Sequence, residues 1–139
     1  MFKVFLWAQL VWLVLAVSFN LTSIYLISTN QAPLYNSNPK VALVSLAPFA
    51  ISIAIGFFQK YKAFVILTGL LIIGLFLRGV LPHVYAGFFS ENLNDYSSKM
   101  AWQAALLINV YGLGVFFTAL VSAQLKVGKF KEQLNEFNG

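Results

Sequence analysis

Hydrophobic residues in this chain occur in four long, continuous runs, unlike the short alternating or amphipathic segments of a water-soluble core. The runs cover residues 4–27, 41–58, 63–81 and 100–123. Each has roughly the 20 residues that an α-helix needs to cross about 30 Å of hydrocarbon. Backbone groups in lipid are satisfied only in helices or closed barrels, and these runs do not alternate as barrel strands do. They predict an all-α, four-helix transmembrane bundle that forms one integral membrane domain.

The composition of the chain also indicates that lipid surrounds it. Of the 139 residues, 60% are hydrophobic and only 9% are charged, whereas soluble domains carry about 25% charged residues. So few charges could not cover a water-facing surface. The chain has no cysteine, which excludes disulfides, thiolate metal sites, iron–sulfur clusters and cysteine nucleophiles. We expect no cofactor and no metal.

The distribution of Lys and Arg predicts which way the bundle faces. Six basic residues fall on the side of the N-terminus, the second turn and the tail: Lys3, Lys60, Lys62, Lys126, Lys129 and Lys131. Three fall on the other side: Lys40, Arg78 and Lys99. The positive-inside rule then places both termini in the cytoplasm, and we interpret the net charge of +5 as topology, not nucleic-acid binding. The predicted location is a cell membrane, interpreted as a bacterial inner membrane.

Two segments have the spacing of short amphipathic helices that lie in the headgroup plane. In the outer loop, the apolar positions are Tyr85, Phe89, Leu93 and Tyr96. In the tail, they are Val127, Phe130, Leu134 and Phe137. Lysines at the inner surface would favour anionic lipid; they are Lys60, Lys62, Lys126, Lys129 and Lys131. A frayed chain end is the alternative for the tail.

Small residues mark the expected packing face of the fourth helix. Ala105, Gly112 and Ala119 share a face with Asn109 by helical spacing. Small side chains let helices approach closely, and an amide can hydrogen-bond across the contact. This face should therefore point into the bundle.

Intramembrane polar residues predict a site, because each is costly in lipid. At 1.5 Å per residue, Asn20 should lie roughly 12 Å and Asn109 roughly 14 Å below the outer boundary, with Ser52 at a similar depth. Arg78 and His83 should lie above them, near the surface. One interpretation is that these side chains only tie helices together. The other is an outward-facing pocket for a lipid headgroup, a quinone-like molecule or a partner helix.

Arg78 and His83 each allow two roles. Arg78 lies about one turn from the predicted end of the third helix, so it could reach the interface and pair with Glu91 or Asp95. Alternatively, it faces inward and holds an anionic group. His83 follows Pro82 at the expected membrane surface, where a lone histidine is most often an ordinary loop residue. The alternative is that it binds a ligand or transfers a proton.

The remaining chemistry is sparse. All four carboxylates fall outside the predicted spans, so the proton relay typical of pumps is missing from them. One histidine cannot supply bis-histidine haem ligation. The sequence contains neither a Gly-rich phosphate loop nor a GxSxG elbow.

These observations favour a non-enzymatic, multi-pass membrane protein that binds other membrane components, as an accessory, assembly or immunity-type subunit. Its expected partners are membrane lipids and a protein partner or a second copy within the membrane. A small oligomeric transporter or channel lined by Asn20, Ser52 and Asn109 is the first alternative. A lipid-modifying enzyme that uses His83 and Arg78 at the outer face is the second.

Overall fold

The computed structural model describes residues 1–90 and 92–137, with side chains described through Gly128. Its helical elements, in chain order, are α1 (Phe2–Ser28), α2 (Pro39–Ser45), α3 (Ala47–Phe57), α4 (Tyr61–Leu75), a π-helical turn (Phe76–Val80), α5 (Leu81–Phe88) and α6 (Lys99–Phe137). Four stretches are long and apolar enough to cross a membrane: Phe2–Ser28, Pro39–Phe57, Tyr61–Phe88 and Lys99–Gly128. The prediction of an all-α bundle with four spans is confirmed.

The outward surface of the bundle is apolar along its whole length. Val14, Leu70 and Leu107, on three different helices, are 63%, 65% and 68% exposed. Soluble monomers rarely leave apolar side chains exposed as one continuous surface, because such surfaces associate in water. Lipid is the solvent that this surface fits.

The four spans run alternately up and down, which gives the bundle two chemically different ends. At the turn end, the start of α1 meets the start of α4, where Phe2 packs edge-on against Phe64 with ring centroids 5.2 Å apart. At the loop end, the connections 29–38 and 89–98 meet in an antiparallel bridge between Tyr35 and Tyr96. The terms turn end and loop end do not state which side of the membrane each end faces.

Two helices end in the same type of cap. After α1, Asn30 adopts a left-handed φ of 59°, and the Gln31 N–H donates to the Leu26 carbonyl over 2.9 Å. After α3, Gln59 has φ 57°, and the Lys60 N–H donates to the Ile55 carbonyl. This bond pattern is the Schellman motif, which satisfies terminal carbonyls and stops the helix. It makes the turn into α4 very short.

Proline interrupts the second and third spans. Pro48 has no N–H to donate, and the second span divides at Leu46 into α2 and α3. In the third span, the π-helical turn comes directly before Pro82, which lies in the first turn of α5, where a missing N–H is tolerated. The helix therefore continues through Pro82 to Phe88, seven residues beyond the boundary predicted at 81.

The outer loop differs from the predicted amphipathic helix. Helix α5 ends at Phe88, and Leu93 and Tyr96 lie in irregular backbone. Tyr96 is buried instead of lying in a headgroup plane, because it pairs with the other loop. Glu91 lies outside the described residues.

The tail predicted to lie along the membrane surface continues α6 without a break as far as Phe137. The Ser98 side chain caps the start of this helix by accepting the Ala101 N–H at 3.1 Å. The predicted amphipathic face of the tail involves Phe130, Leu134 and Phe137, whose side chains lie outside the described part.

Small residues on α6 permit close packing against α1. Ala105, Gly112 and Ala119 are all buried, as expected for a packing face. A Cβ on Gly112 would collide with the Trp12 indole. This position thus accepts only glycine unless α1 moves.

Candidate functional site

A cavity of about 410 Å³ lies between the helices in the half of the bundle nearest the loop end. This volume is within the roughly 300–1,000 Å³ typical of small-molecule sites. Its apolar wall includes Phe19, Leu46, Phe49, Leu71 and Leu75. The polar residues that line it are Asn20, Ser23, Tyr35, Ser37, Ser45, Arg78, His83 and Asn109.

The structure brings together four of the five side chains predicted to form a pocket. Asn20, Arg78, His83 and Asn109 all line this cavity. Ser52 does not: it lies one helical turn beyond Phe49, toward the turn end. There its hydroxyl shares a 2.7 Å hydrogen bond with the Thr68 hydroxyl, and both residues are fully buried. Ser52 thus ties α3 to α4 outside the cavity.

Asn20 and Asn109 face the cavity from α1 and α6 in matching conformations. Each side-chain amide donates to the carbonyl four residues earlier, Ala16 for Asn20 and Ala105 for Asn109, at 2.8 Å. An asparagine amide has a second N–H and an oxygen acceptor, so capacity for another partner remains. The Asn109 oxygen lies so close to Gly79 that a Cβ there would collide with it.

Arg78 projects from the π-helical turn, and its exposed side chain lines the cavity. Ten residues separate it from the end of α5 at Phe88, roughly 15 Å at the α-helical rise. The sequence had predicted a distance of about one turn. A charge within a membrane-spanning stretch is costly unless it faces a cavity or a partner, and the Arg78 side chain faces a cavity.

His83 is held from two sides by groups of the loop end. Its Nδ1 is hydrogen-bonded with the Tyr96 hydroxyl, and its carbonyl accepts the Trp102 indole N–H at 2.8 Å. The Tyr35 ring packs edge-on against the imidazole at 5.2 Å. His83 is buried, so it lies inside the bundle and not in an exposed surface loop as predicted.

The two loops together form a lid, the loop cap, defined here as residues 34–37 and 93–97. The Asn36 N–H donates to the Asp95 carbonyl at 2.7 Å, and the Ser97 N–H donates to the Leu34 carbonyl at 3.2 Å. The Tyr35 and Tyr96 rings stack with centroids 4.9 Å apart. The loop cap closes the cavity toward the loop end.

Burial alters the acidity of both stacked tyrosines. It raises the pKa of Tyr96 to about 12, with smaller contributions from Tyr35 and Asp95. The pKa of Tyr35 is also raised, first by burial and then by Asp95. Tyr96 therefore keeps its proton at neutral pH. The hydroxyl can donate to His83 Nδ1 or accept from it, according to which ring nitrogen of the imidazole carries the proton.

An aromatic floor closes the cavity toward the turn end. Trp12, Phe49 and Phe116 pack with ring centroids 5.0–5.3 Å apart, and all three are buried. Below them, the fully buried Leu6 and Phe64 fill the bundle axis. In the described chain, the cavity thus ends blindly above this floor.

A lateral opening connects the cavity with the surroundings of the bundle. Among the described helices, α2 has Cα atoms within 8 Å of α1 and α3 but none within 8 Å of the third span. Ser45 of α2 lies on one side of the gap, and Leu70, Gly74 and Arg78 lie on the other. All four line the cavity and are exposed. The gap faces sideways, where the bundle is surrounded by lipid.

No family model, curated protein or solved structure matches this chain.

Some lining residues were missed by the sequence argument. Tyr35 and Ser37 lie in a polar loop without periodicity, and Tyr35 meets Tyr96 from a distant part of the chain. Gly74 gives no signal among continuous apolar residues. Ser23 could have been included, since helical spacing places it on the Asn20 face of α1.

The predicted basic surface residues lie away from this site. Lys60 and Lys62 are exposed at the turn end, and Lys126 is exposed further along α6. The side chains of Lys129 and Lys131 lie outside the described residues. The orientation of the bundle in the membrane stays a prediction.

Proposed function

We propose that this protein is a non-enzymatic membrane protein that takes a small amphiphilic component of the bilayer into the cavity between its helices. The observation that carries the proposal is a cavity with apolar walls and convergent polar groups, open sideways and closed at both ends. A molecule dissolved in the membrane could enter without passing through water. The protein would hold or present it to other membrane components, as an accessory subunit.

The aromatic floor is the observation that favours binding over conduction. A channel needs a continuous polar path, whereas Trp12, Phe49 and Phe116 close the axis with packed rings. The contacts of His83 with Tyr96 and Trp102 are those of a residue that positions the loop cap. They favour a structural role over catalysis.

Photolabelling tests the proposal. The purified chain is reconstituted into phosphatidylcholine vesicles that contain hexadecanoic acid carrying a diazirine in its chain, and the labelled peptides are mapped after irradiation. We expect labels on the cavity walls, for instance at Leu71 and Leu75. Labels confined to the lipid-facing surface would contradict the proposal.

A pair of glycines supplies matched variants. A Cβ on Gly74 or on Gly114 meets nothing within 4 Å, and both residues are exposed. Only Gly74 lines the cavity. Gly74→Leu should obstruct the lateral opening and remove most cavity labelling, while Gly114→Leu should leave it unchanged. Equal labelling of the two variants would contradict the proposed entry route.

A partner helix is the competing occupant of the opening. In that case, irradiation of a chain carrying a photoreactive residue at position 74 would produce protein crosslinks in native membranes. The proposal expects lipid adducts instead.

A further inference from the structure

Resting on the proposed function, we infer that the ligand is an anionic single-chain amphiphile. The headgroup of this ligand is bound by Arg78. The hydrocarbon chain of the ligand passes through the lateral opening between α2 and the third span. Among the described residues that line the cavity, Arg78 is the one that carries a positive charge. The inference concerns the chemistry of the headgroup, which the cavity shape alone does not specify.

The charge balance inside the bundle favours an anion. The chain has four carboxylates, Glu91, Asp95, Glu132 and Glu136, and none lies within the four spans. A guanidinium at the depth of Arg78 therefore has no carboxylate of its own span to neutralise it. Asp95 belongs to the loop cap, where its negative charge contributes to the raised pKa values of Tyr35 and Tyr96. An anionic ligand in the cavity would place a negative charge beside this guanidinium.

The donor set also fits a planar or tetrahedral oxyanion. A guanidinium presents a rigid fork of N–H donors that binds carboxylate or phosphate through two parallel bonds. Asn20 and Asn109 each have one amide N–H beyond the one given to the backbone. All three side chains line the same cavity. Carboxylate and phosphate share this chemistry, and the experiment below distinguishes them.

The position of Arg78 explains how the hydrocarbon chain of the ligand would pass out of the cavity. Arg78, Gly74 and Leu70 follow one another at four-residue intervals, so they form one stripe along the third span beside the opening. Leu46 lines the cavity from the α2 side. The hydrocarbon chain of a ligand whose headgroup is bound at Arg78 would thus lie in the lateral opening, beside Gly74 and Leu70. The cavity volume of about 410 Å³ suits one headgroup and part of one chain.

Three photoreactive probes with the same diazirine-bearing hexadecyl chain test the inference: the acid, the phosphate monoester and the neutral alcohol. They are compared in phosphatidylcholine vesicles at a pH that ionises the acid. The anionic probe that binds more tightly should label the wild-type protein about tenfold more than the alcohol does. This is the ratio expected from one charge-assisted hydrogen-bonded pair. The anion that labels more strongly identifies the headgroup.

Arg78→Gln should reduce anion labelling to the level of alcohol labelling. Arg78→Lys should retain part of the preference, because it keeps the charge and loses the fork. Lys99→Gln is the control, since it removes an exposed cation near the loop end that does not line the cavity. If anion labelling depends only on surface charge, Arg78→Gln and Lys99→Gln should reduce it equally. That result would overturn the inference.

The inference and the proposed function can fail separately. Equal cavity labelling of the wild-type chain by all three probes would overturn the anionic headgroup and leave amphiphile binding in place. An absence of cavity labelling by every probe would overturn both. Correct folding of each variant is checked by helical circular dichroism and by a single elution volume in detergent.

Discussion

The two halves of the bundle are built from the same four spans, yet only one contains a cavity. In the half toward the turn end, the helices are regular and the axis is filled by Leu6 and Phe64, both fully buried. In the half toward the loop end, the second span is broken at Leu46 and the third contains a π-helical turn. Both interruptions contribute residues to the cavity wall.

The difference indicates how a small membrane bundle obtains a binding site. Regular helices with complementary small and large side chains pack until no space is left. An interruption redirects one helix segment away from its neighbour, and π-helical turns are frequent at functional sites. Here the interruption in α2–α3 leaves α2 apart from the third span. The cavity thus lies where both backbone interruptions meet the bundle interior.

The largest effect is expected from opening the sealed half. Phe64→Ala removes a fully buried ring that packs against Phe2 and should lower the free energy of unfolding by about 3 kcal/mol or more. Ile66→Ala, on the lipid-facing side of the same helix and 68% exposed, should change it by less than about 0.5 kcal/mol. Thermal unfolding in detergent measures both. Similar values for the two variants would contradict the described packing.

The loop cap provides the next largest effect. Tyr96→Phe leaves the buried His83 Nδ1 without its partner and should cost about 1–3 kcal/mol. Faster hydrogen exchange is expected at the Asn36 and Ser97 amides, which join the two loops. Tyr85→Phe, at an exposed tyrosine of the same end, is the control. Unchanged exchange in the Tyr96 variant would mean that the hydroxyl does not hold the cap.

Alkaline pH should weaken the loop cap and spare the sealed half. Because the pKa of Tyr96 is raised from 10.0 to about 12, the folded state binds the proton more tightly than the unfolded state. The resulting stability is complete below pH 10 and is lost as the pH rises toward 12. Tyrosinate absorbance and exchange at Ser97, followed against pH, measure this. A Tyr96 that titrates at its ordinary pKa would contradict the burial described.

The smallest effect is expected at the hydrogen bond between Ser52 and Thr68. Interhelical bonds of this type contribute about 0.6 kcal/mol on average in membrane proteins. A double-mutant cycle with Ser52→Ala and Thr68→Val should give a coupling energy of that size and leave photolabelling of the cavity unchanged. A loss of labelling in Ser52→Ala would place Ser52 in the site after all.

Sequence patterns were sufficient for features that depend on local spacing. Continuous apolar runs gave the four spans, and helical periodicity gave the buried face of α6, including Gly112. Asn20 and Asn109 were placed together because each lies at a countable distance from a helix end. These features follow from the helix geometry of each run.

Features that depend on contacts between distant segments could not be predicted. Counting assumed that the third helix stops before Pro82, whereas the π-helical turn lets it continue and leaves Arg78 deeper. Ser52 lies nearer the turn end than predicted, where it bonds to Thr68 and does not line the cavity. The pairing of Tyr35 with Tyr96 joins two loops and has no periodic signal. The lateral opening is a gap between helices, which no single segment encodes.

Nuclear magnetic resonance can compare the two halves most directly. The protein is prepared in deuterated detergent with hexadecanoic acid whose hydrogens are not deuterated. Intermolecular Overhauser effects are then measured at two buried leucines. Leu75 lines the cavity and is 6% exposed, while Leu6 lies in the sealed half and is 0% exposed. The proposed binding predicts chain contacts at the Leu75 methyls and none at the Leu6 methyls. Contacts at neither leucine, or equally at both, would contradict it.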